Sequence, residues 1–360
     1  MTGARILIVN WRDPWHPQAG GAERYAWMMA RGLVARGAHV TFLTARAPGQ
    51  SRRDCHDGIR VLRLGGRFTV YPLVLGFVLT HRRSFSAVLD CQNGIPFLAP
   101  LVLPARVPAV LVVHHVHTEQ FGVHFPFWAA WLGRFLEGPV SRVVYRRCRA
   151  VAVSPSTVAA MRERLRWTGP IEVIPNGCDP APAAPAAPAG SGLVWVGRLV
   201  RHKRAELVLD AAERLGVVID VVGRGPAAVE LAELVTTRGL TGLVRLRGFL
   251  TEADKQAVVA GALLHLNTSI GEGWGLCVLE AAAAGVPTVA FDVEGLRDAV
   301  LDGQTGWLVH DGEVLADVVE QALKELSDPA RRAEVAAACR AWAAQFDWDQ
   351  SAARLAAMLS

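Results

Sequence analysis

Gly271-Glu272-Gly273-Trp274-Gly275-Leu276-Cys277-Val278-Leu279-Glu280-Ala281-Ala282-Ala283-Ala284-Gly285-Val286-Pro287 is the stretch from which the rest of the chain can be organised. The apolar run 262–267 before it reads as a strand, and 288–291 after it reads as another. Between them a helix opens near Gly275 and stops at Gly285, with Pro287 just beyond. Free N–H groups near Gly275, Leu276 and Cys277 should face an anion, helped by the positive end of the helix dipole. Gly273 and Gly275 permit close backbone approach. Glu272 in the loop and Glu280 about one turn into the helix straddle that start. Spacing alone also fits an ordinary strand–loop–helix with exposed glutamates.

The same alternation runs outward in both directions. Upstream lie strands at 193–196, 217–222 and 243–247, with helices at 205–215, 227–238 and 252–261. The first half repeats it, with short apolar runs at 5–9, 39–43, 87–89, 109–113, 150–153 and 172–174 and a helical pattern at 22–36. Such alternation implies α/β sheets with helices on both faces. The chain has 360 residues, well above the roughly 150 of one ordinary domain, so two doubly wound domains are expected. The expected bounds are 1–175 and 191–348, joined by a linker at 176–190 that includes the low-complexity run PAPAAPAAPAG. A last amphipathic helix at 349–360 follows the Phe346-Asp347-Trp348 break.

Charge separates the halves. Residues 1–170 hold 22 Arg, no Lys and 8 acidic residues, for +14, whereas 171–360 hold 16 basic and 25 acidic residues, for −9. Opposite signs point to different partners for the two domains. Six cysteines without a CxxC pair argue against a disulfide framework or zinc cluster and fit a reducing compartment. No signal-peptide pattern opens the chain, and the apolar stretches 68–79 and 95–113 are too short or too broken by proline and arginine to span a bilayer. A cytoplasmic protein is expected.

EGWGLCVLEAAAAGVPTVAF (272–291) resembles the E-x7-E signature of retaining glycosyltransferases of family 4. Four further segments follow in family order. Gly20-Gly21-Ala22-Glu23 resembles the GGxE loop, and VIPNGCD (173–179) the VIPNGVD segment. VGRLVRHK (196–203) resembles VGRLxxxK, and VGRGP (222–226) resembles VGxGP. The resemblance covers nearly the whole chain and implies the GT-B fold, two Rossmann-like domains facing across a cleft, with the final helix packing back on the first. It implies transfer of a sugar, with retention, from a nucleoside-diphosphate sugar to a hydroxyl acceptor that could be lipid-linked, part of the cell envelope or a secondary metabolite.

The roles implied are specific. Arg198 and Lys203 would stabilise charge growing on the departing phosphate, as preorganised cations can without metal. Lys203 is one of only three lysines in an arginine-dominated chain. Glu272 would bind sugar hydroxyls and Glu280 the ribose, while the backbone near Phe249 and Leu250 would seat the base. Gly21, Gly197, Gly223, Gly273, Trp274, Gly275 and Leu276 complete the donor set. Glu23 reads as a helix-start charge or loop organiser. Val113-His114-His115-Val116-His117 ends a central strand, where α/β folds place ligands. The resemblance puts His114 beside the donor sugar in a catalytic or contacting role. Gly20, His115 and His117 would face the acceptor, although His114 and His117 also fit structural roles and Gly21 a tight turn.

No cofactor or metal is expected. Only His115 and His117 could share a face of the strand, with no third ligand, and Asp347-Trp348-Asp349 reads as helix capping. The dinucleotide fingerprint at Gly223-Arg224-Gly225-Pro226-Ala227-Ala228 lacks an acidic ribose partner in 239–250, which disfavours an oxidoreductase. Aromatic and apolar runs beside arginines, at 68–83 and 121–149 (including Phe125), fit either helices packed in the core or contact with an anionic membrane, placing the protein peripherally at its inner face. Nucleic acid is not expected, since no recognition motif accompanies the charge. Alternatives are a sugar-nucleotide 2-epimerase of the same fold and a non-catalytic sugar-nucleotide-binding protein.

Overall fold

A computed structural model describes residues 1–118, 121–122, 126–180 and 192–359. Most of the proline-rich connector and Phe125 lie outside the described residues. The chain divides into two units, Met1–Gly177 with Asp347–Ser360, and Cys178–Phe346. The break falls at Gly177 rather than at 175 because Cys178 is bonded into the second unit. Its N–H donates to the Phe346 carbonyl at 2.8 Å and its thiol to the Leu279 carbonyl at 3.4 Å.

In the first unit eight strands lie in the order β3-β4-β2-β1-β5-β6-β7-β8. They are β1 (Arg5–Val9), β2 (His39–Thr44), β3 (Arg53–His56), β4 (Ile59–Arg63), β5 (Ala87–Gln92), β6 (Ala109–Val113), β7 (Arg149–Ala152) and β8 (Ile171–Val173). All pairs are parallel except the β3–β4 hairpin. That hairpin is absent from the alternation read in the sequence, because β3 (RDCH) is polar and half-exposed and carries no apolar signal. The longer helices are α1 (Gly21–Ala35), α2 (Val70–His81), α3 (Phe127–Phe135) and α4 (Pro155–Glu163).

Register puts Leu7, Val9, Leu43, Val88, Asp90, Leu111, Val113, Ala150 and Ala152 on one sheet face. On it, α2 buries Val70, Val74 and Val78 against Leu7, Val9 and Leu43, and Tyr145 packs with Leu111 and Val113. Asp90 is the one carboxyl on this face, and burial pushes it up to about 6. It accepts from the Tyr145 hydroxyl and from the N–H groups of Phe97 (3.1 Å) and Ala99 (3.2 Å), which pins the segment after β5.

The second unit has six parallel strands in the order β11-β10-β9-β12-β13-β14. They are β9 (Leu193–Val196), β10 (Ile219–Val222), β11 (Val244–Gly248), β12 (Leu264–Asn267), β13 (Thr288–Phe291) and β14 (Gly306–Val309). Its longer helices are α5 (Leu207–Leu215), α6 (Ala228–Thr237), α7 (Glu252–Ala260), α8 (Leu276–Ala283), α9 (Leu315–Leu326) and α10 (Pro329–Ala343). The edge strand β14 and the two helices after it extend the sheet and core beyond what the sequence reading assigned.

The closing helix α11 (Trp348–Met358) returns to the first unit and packs on α1. Asp347 caps it, accepting from the Asp349 N–H at 2.8 Å. Arg36 holds the other Asp349 face through a bidentate pair at 2.8 and 3.0 Å. The helices touch at Gly32, where a Cβ would stand 2.2 Å from the Ala352 Cβ. Gly32→Val should therefore lower stability by about 1–3 kcal/mol through overpacking. Ala352→Gly in the same chain should recover part of it, read as melting temperatures by circular dichroism.

Candidate active site

In the second unit the site grows from the carboxyl ends of β9, β10 and β12. Strands β9 and β10 end side by side at Val196 and Val222. The following loops are bonded backbone to backbone, with Leu199 N–H on the Arg224 carbonyl and Ala227 N–H on the Leu199 carbonyl, both at 3.0 Å. Gly223, at φ +151°, could not carry a Cβ, which would lie 1.8 Å from the Gly197 oxygen. Gly197 and Gly223 thus join these loops by close approach. Arg198 rides on the first loop, half-buried, and makes no ion pair among the described residues.

Lys203 ends a single 3-10 turn, Arg201–Lys203. Arg204 after it adopts φ +47°, a strained value for a non-glycine residue. Tertiary bonds hold that conformation. Arg204 Nε donates to the Thr268 carbonyl at 2.8 Å, and its guanidinium lies 4.3 Å over the Phe291 ring. The Thr268 hydroxyl donates to the Lys203 carbonyl at 2.7 Å and accepts from Trp195 Nε1 at 2.9 Å. Ile270 N–H donates to the His202 carbonyl at 3.0 Å. The lysine loop is strapped to the end of β12.

These straps bring the Lys203 ammonium against Glu272 Oε1, to which the Ser269 hydroxyl also donates at 2.8 Å. Burial would raise the Glu272 carboxyl, but the Lys203 charge and the two hydrogen bonds hold it below the ordinary carboxylate value. Gly275, at φ +91°, starts α8 just beyond. Glu280, in the second turn of α8, pairs at 2.8 Å with Lys255 from α7, which also reaches Glu252 at 2.8 Å. Burial lowers the Lys255 pKa, and the two carboxylates outweigh it, so the ammonium is held above its usual value.

Lys255 is the member that sequence reasoning missed. Its signal was available, since it is one of three lysines in the chain. Trp274 turns its indole inward, edge-on to Phe346 at 5.1 Å, which leaves only its backbone facing the loop. Leu276 and Gly273 are half-buried at the helix start. Leu250 is half-buried against the Val194 and Val222 cluster, beside an exposed Phe249 that lies under the Arg224 guanidinium at 4.4 Å.

The first unit carries its own cluster. Gly20 caps α1, and its N–H donates to Glu23 Oε2 at 2.7 Å. Glu23 also pairs with Arg12 at 3.1 Å, and Arg12 reaches the Gln18 carbonyl at 2.8 Å, so Glu23 organises the loop before α1. Gly21, the first residue of α1, has open space where a Cβ would sit. His114 is buried after β6, edge-on to Tyr25 at 5.1 Å, and its Nε2 has no partner among the described residues. His115 and His117 are half-buried, ring edge to ring face at 5.2 Å.

Glu137 is the second residue that sequence reasoning missed. It sits fully buried in a π-helical turn, Leu136–Val140. It accepts from His117 N–H at 2.7 Å and the Thr118 hydroxyl at 3.1 Å, which fixes the histidine loop. Between residues 121 and 162 it is the only carboxylate, an isolated acid in an apolar and basic run.

Two doubly wound units, one bearing paired cations and carboxylates at its strand ends, are the arrangement of GT-B glycosyltransferases. Residues 19–182 match the family profile described as Glycosyltransferase Family 4, and 191–341 that described as Glycosyl transferases group 1. Glycogen synthase of Mycobacterium tuberculosis is 27% identical, over 96% of this chain and 91% of that protein. The D-inositol 3-phosphate glycosyltransferase of Xylanimonas cellulosilytica is 29% identical, over 95% and 92%. Among solved structures, sucrose-phosphate synthase from Thermosynechococcus elongatus superposes with TM-score 0.82 at 22% identity, covering 98% of each chain. Anabaena HepE in complex with UDP-glucose gives 0.76 at 20%, covering 99% of each. The chain belongs to glycosyltransferase family 4 and has the GT-B fold.

Burial lowers both His114 and His265 to about 3. An unfolded histidine takes up a proton below about 6.5, which these cannot do while folded. Their contribution is therefore intact above pH 6.5 and is lost as pH falls toward 3. Between pH 6 and 4 each should cost about 1.4 kcal/mol per pH unit. His265→Gln should flatten the pH dependence of the urea midpoint relative to the unchanged chain.

Proposed function

We propose that the protein transfers a sugar from a nucleoside-diphosphate sugar to a hydroxyl acceptor, with retention and without a metal ion. The observation that carries this reading is the Lys203–Glu272 pair beside the start of α8, with Arg198 on the neighbouring loop. A relative 27% identical over 99% of this chain is named a GDP-mannose-dependent mannosyltransferase, and HepE was solved with UDP-glucose, which supports a nucleotide-sugar donor.

The residues divide the work by charge. Negative charge grows on the outer phosphate as the glycosidic bond breaks, and Lys203 and Arg198 are the cations that meet it. The α8 amide groups after Gly275 add fixed positive dipole. The Glu272 carboxylate, ionised through its pairing with Lys203, accepts from the sugar hydroxyls. An ammonium has three N–H donors, so Lys203 can keep Glu272 while taking a phosphate oxygen. Glu280, positioned by Lys255, accepts from the ribose diol.

On the first unit, His114 stays neutral at physiological pH, and the family resemblance gives it a role beside the sugar. His115, His117 and the Gly20–Gly21 helix start serve the acceptor. The acceptor hydroxyl attacks on the face the diphosphate leaves, and a phosphate oxygen takes its proton. No enzyme nucleophile is required.

The donor is found by thermal shift across a panel of sugar nucleotides, and the product anomer by proton NMR. An inverted anomer would overturn the retaining reading. Lys203→Ala should lower kcat by about 100-fold or more at saturating donor, the scale of removing one charge-stabilising donor. An unchanged kcat removes Lys203 from the chemistry. Turnover should persist in excess chelator, and a loss restored by one divalent ion would contradict the cation assignment.

A further inference from the structure

The helix α3 buries the wrong residues for a helix that ends in water. Its buried positions are Ala130 and Gly133, the small ones. Its large side chains face out, with Phe127 83%, Trp128 70% and Trp131 57% exposed, and Leu132 and Phe135 exposed as well. Together they leave on the order of 600 Å² of apolar surface uncovered, at the upper end for one patch on a monomer. Trp131 and Phe135 stack at 5.4 Å.

A second apolar surface lies on and around α2. The chain runs from α3 to Tyr145, which packs on Leu111 and Val113 of the sheet face that α2 also covers. There Phe68 and, on α2, Leu73 and Leu79 are exposed, as is Leu101 in the segment tied to Asp90. Helix α2 and the segment that follows α3 thus cover one face of the eight-stranded sheet.

Charge selects what covers it. Exposed Arg67, Arg82 and Arg83 flank α2, and exposed Arg134, Arg146 and Arg147 lie on α3 or follow it. No acidic residue occurs from 58 to 89, and the only one from 121 to 162 is the fully buried Glu137. A second copy would bring arginines against arginines. An anionic lipid surface instead pairs with the arginines while the tryptophans and phenylalanines enter the headgroup boundary, the depth aromatic side chains prefer. No described helix is long and apolar enough to cross a membrane. We propose that this face, α2 together with α3, docks the first unit peripherally on an anionic lipid bilayer. The proposal rests on exposure and charge and not on the donor chemistry above.

The test is flotation of the full chain with vesicles of phosphatidylcholine alone and with about one third phosphatidylglycerol. Binding is expected to the anionic vesicles, weakened in high salt. Trp128→Ser with Trp131→Ser should reduce it at least 10-fold, and so should Arg146→Glu with Arg147→Glu, both with an unchanged melting curve. No binding to anionic vesicles overturns the proposal, as does binding that both variants retain. Sedimentation showing a dimer that the tryptophan variant dissociates, with vesicle binding unchanged, assigns the face to self-association instead.

Discussion

The Lys203 ammonium against the Glu272 carboxylate is the contact on which the second unit's site depends. It joins a loop after β9 to a loop after β12, and both partners are mostly withdrawn from water, at 14% and 18% side-chain exposure. Losing either would leave the other charge poorly solvated, so the pair is a constraint as much as a stabilisation. The surrounding bonds are arranged to hold it. Thr268 ties the Lys203 carbonyl, Arg204 accepts a strained backbone to reach Thr268, and Ser269 shares the Glu272 oxygen. Lys255 and Glu280 repeat the logic one helix away.

The first unit solves a different problem. Its sheet is apolar on both faces, yet polar groups are buried where its loops must be held. Asp90 pins the segment after β5 through two backbone N–H groups and Tyr145, and Glu137 pins the histidine loop. Each is a carboxyl kept in a dry setting because hydrogen bonds replace water. Histidines and backbone are thereby positioned on rigid strand ends, while α2 and α3 turn apolar side chains outward. The same unit thus holds a polar site and an apolar exterior.

Much of this was legible in the residues. Short apolar runs marked the buried parallel strands, since those need no alternation, and Gly275, Gly285 and Pro287 marked a helix start and stop. The polar hairpin strand β3 was not legible, because RDCH gains strand character from its pairing with β4 rather than from composition, whereas the apolar edge strand β14 (GWLV) carried a strand signal that the reading passed over. Glu272, Lys203 and Glu280 were visible as residues in motifs. Lys255 lies in no motif and only its rarity marked it, since its place beside Glu280 depends on α7 packing against α8. Glu137 was hidden similarly, its meaning set by a π-helical turn that brings it to His117, 20 positions earlier.

The amino-acid order by itself determined the α/β class, the two doubly wound sheets and the glycine-marked helix starts, since these follow from local periodicity and backbone permissiveness. It left open whether the aromatic run at 127–135 was core or surface. Tertiary structure decided that, by giving the core side of α3 to Ala130 and Gly133. It also decided which cation meets which carboxylate. Ion pairing between loops depends on where distant strands end, and no local pattern encodes that distance.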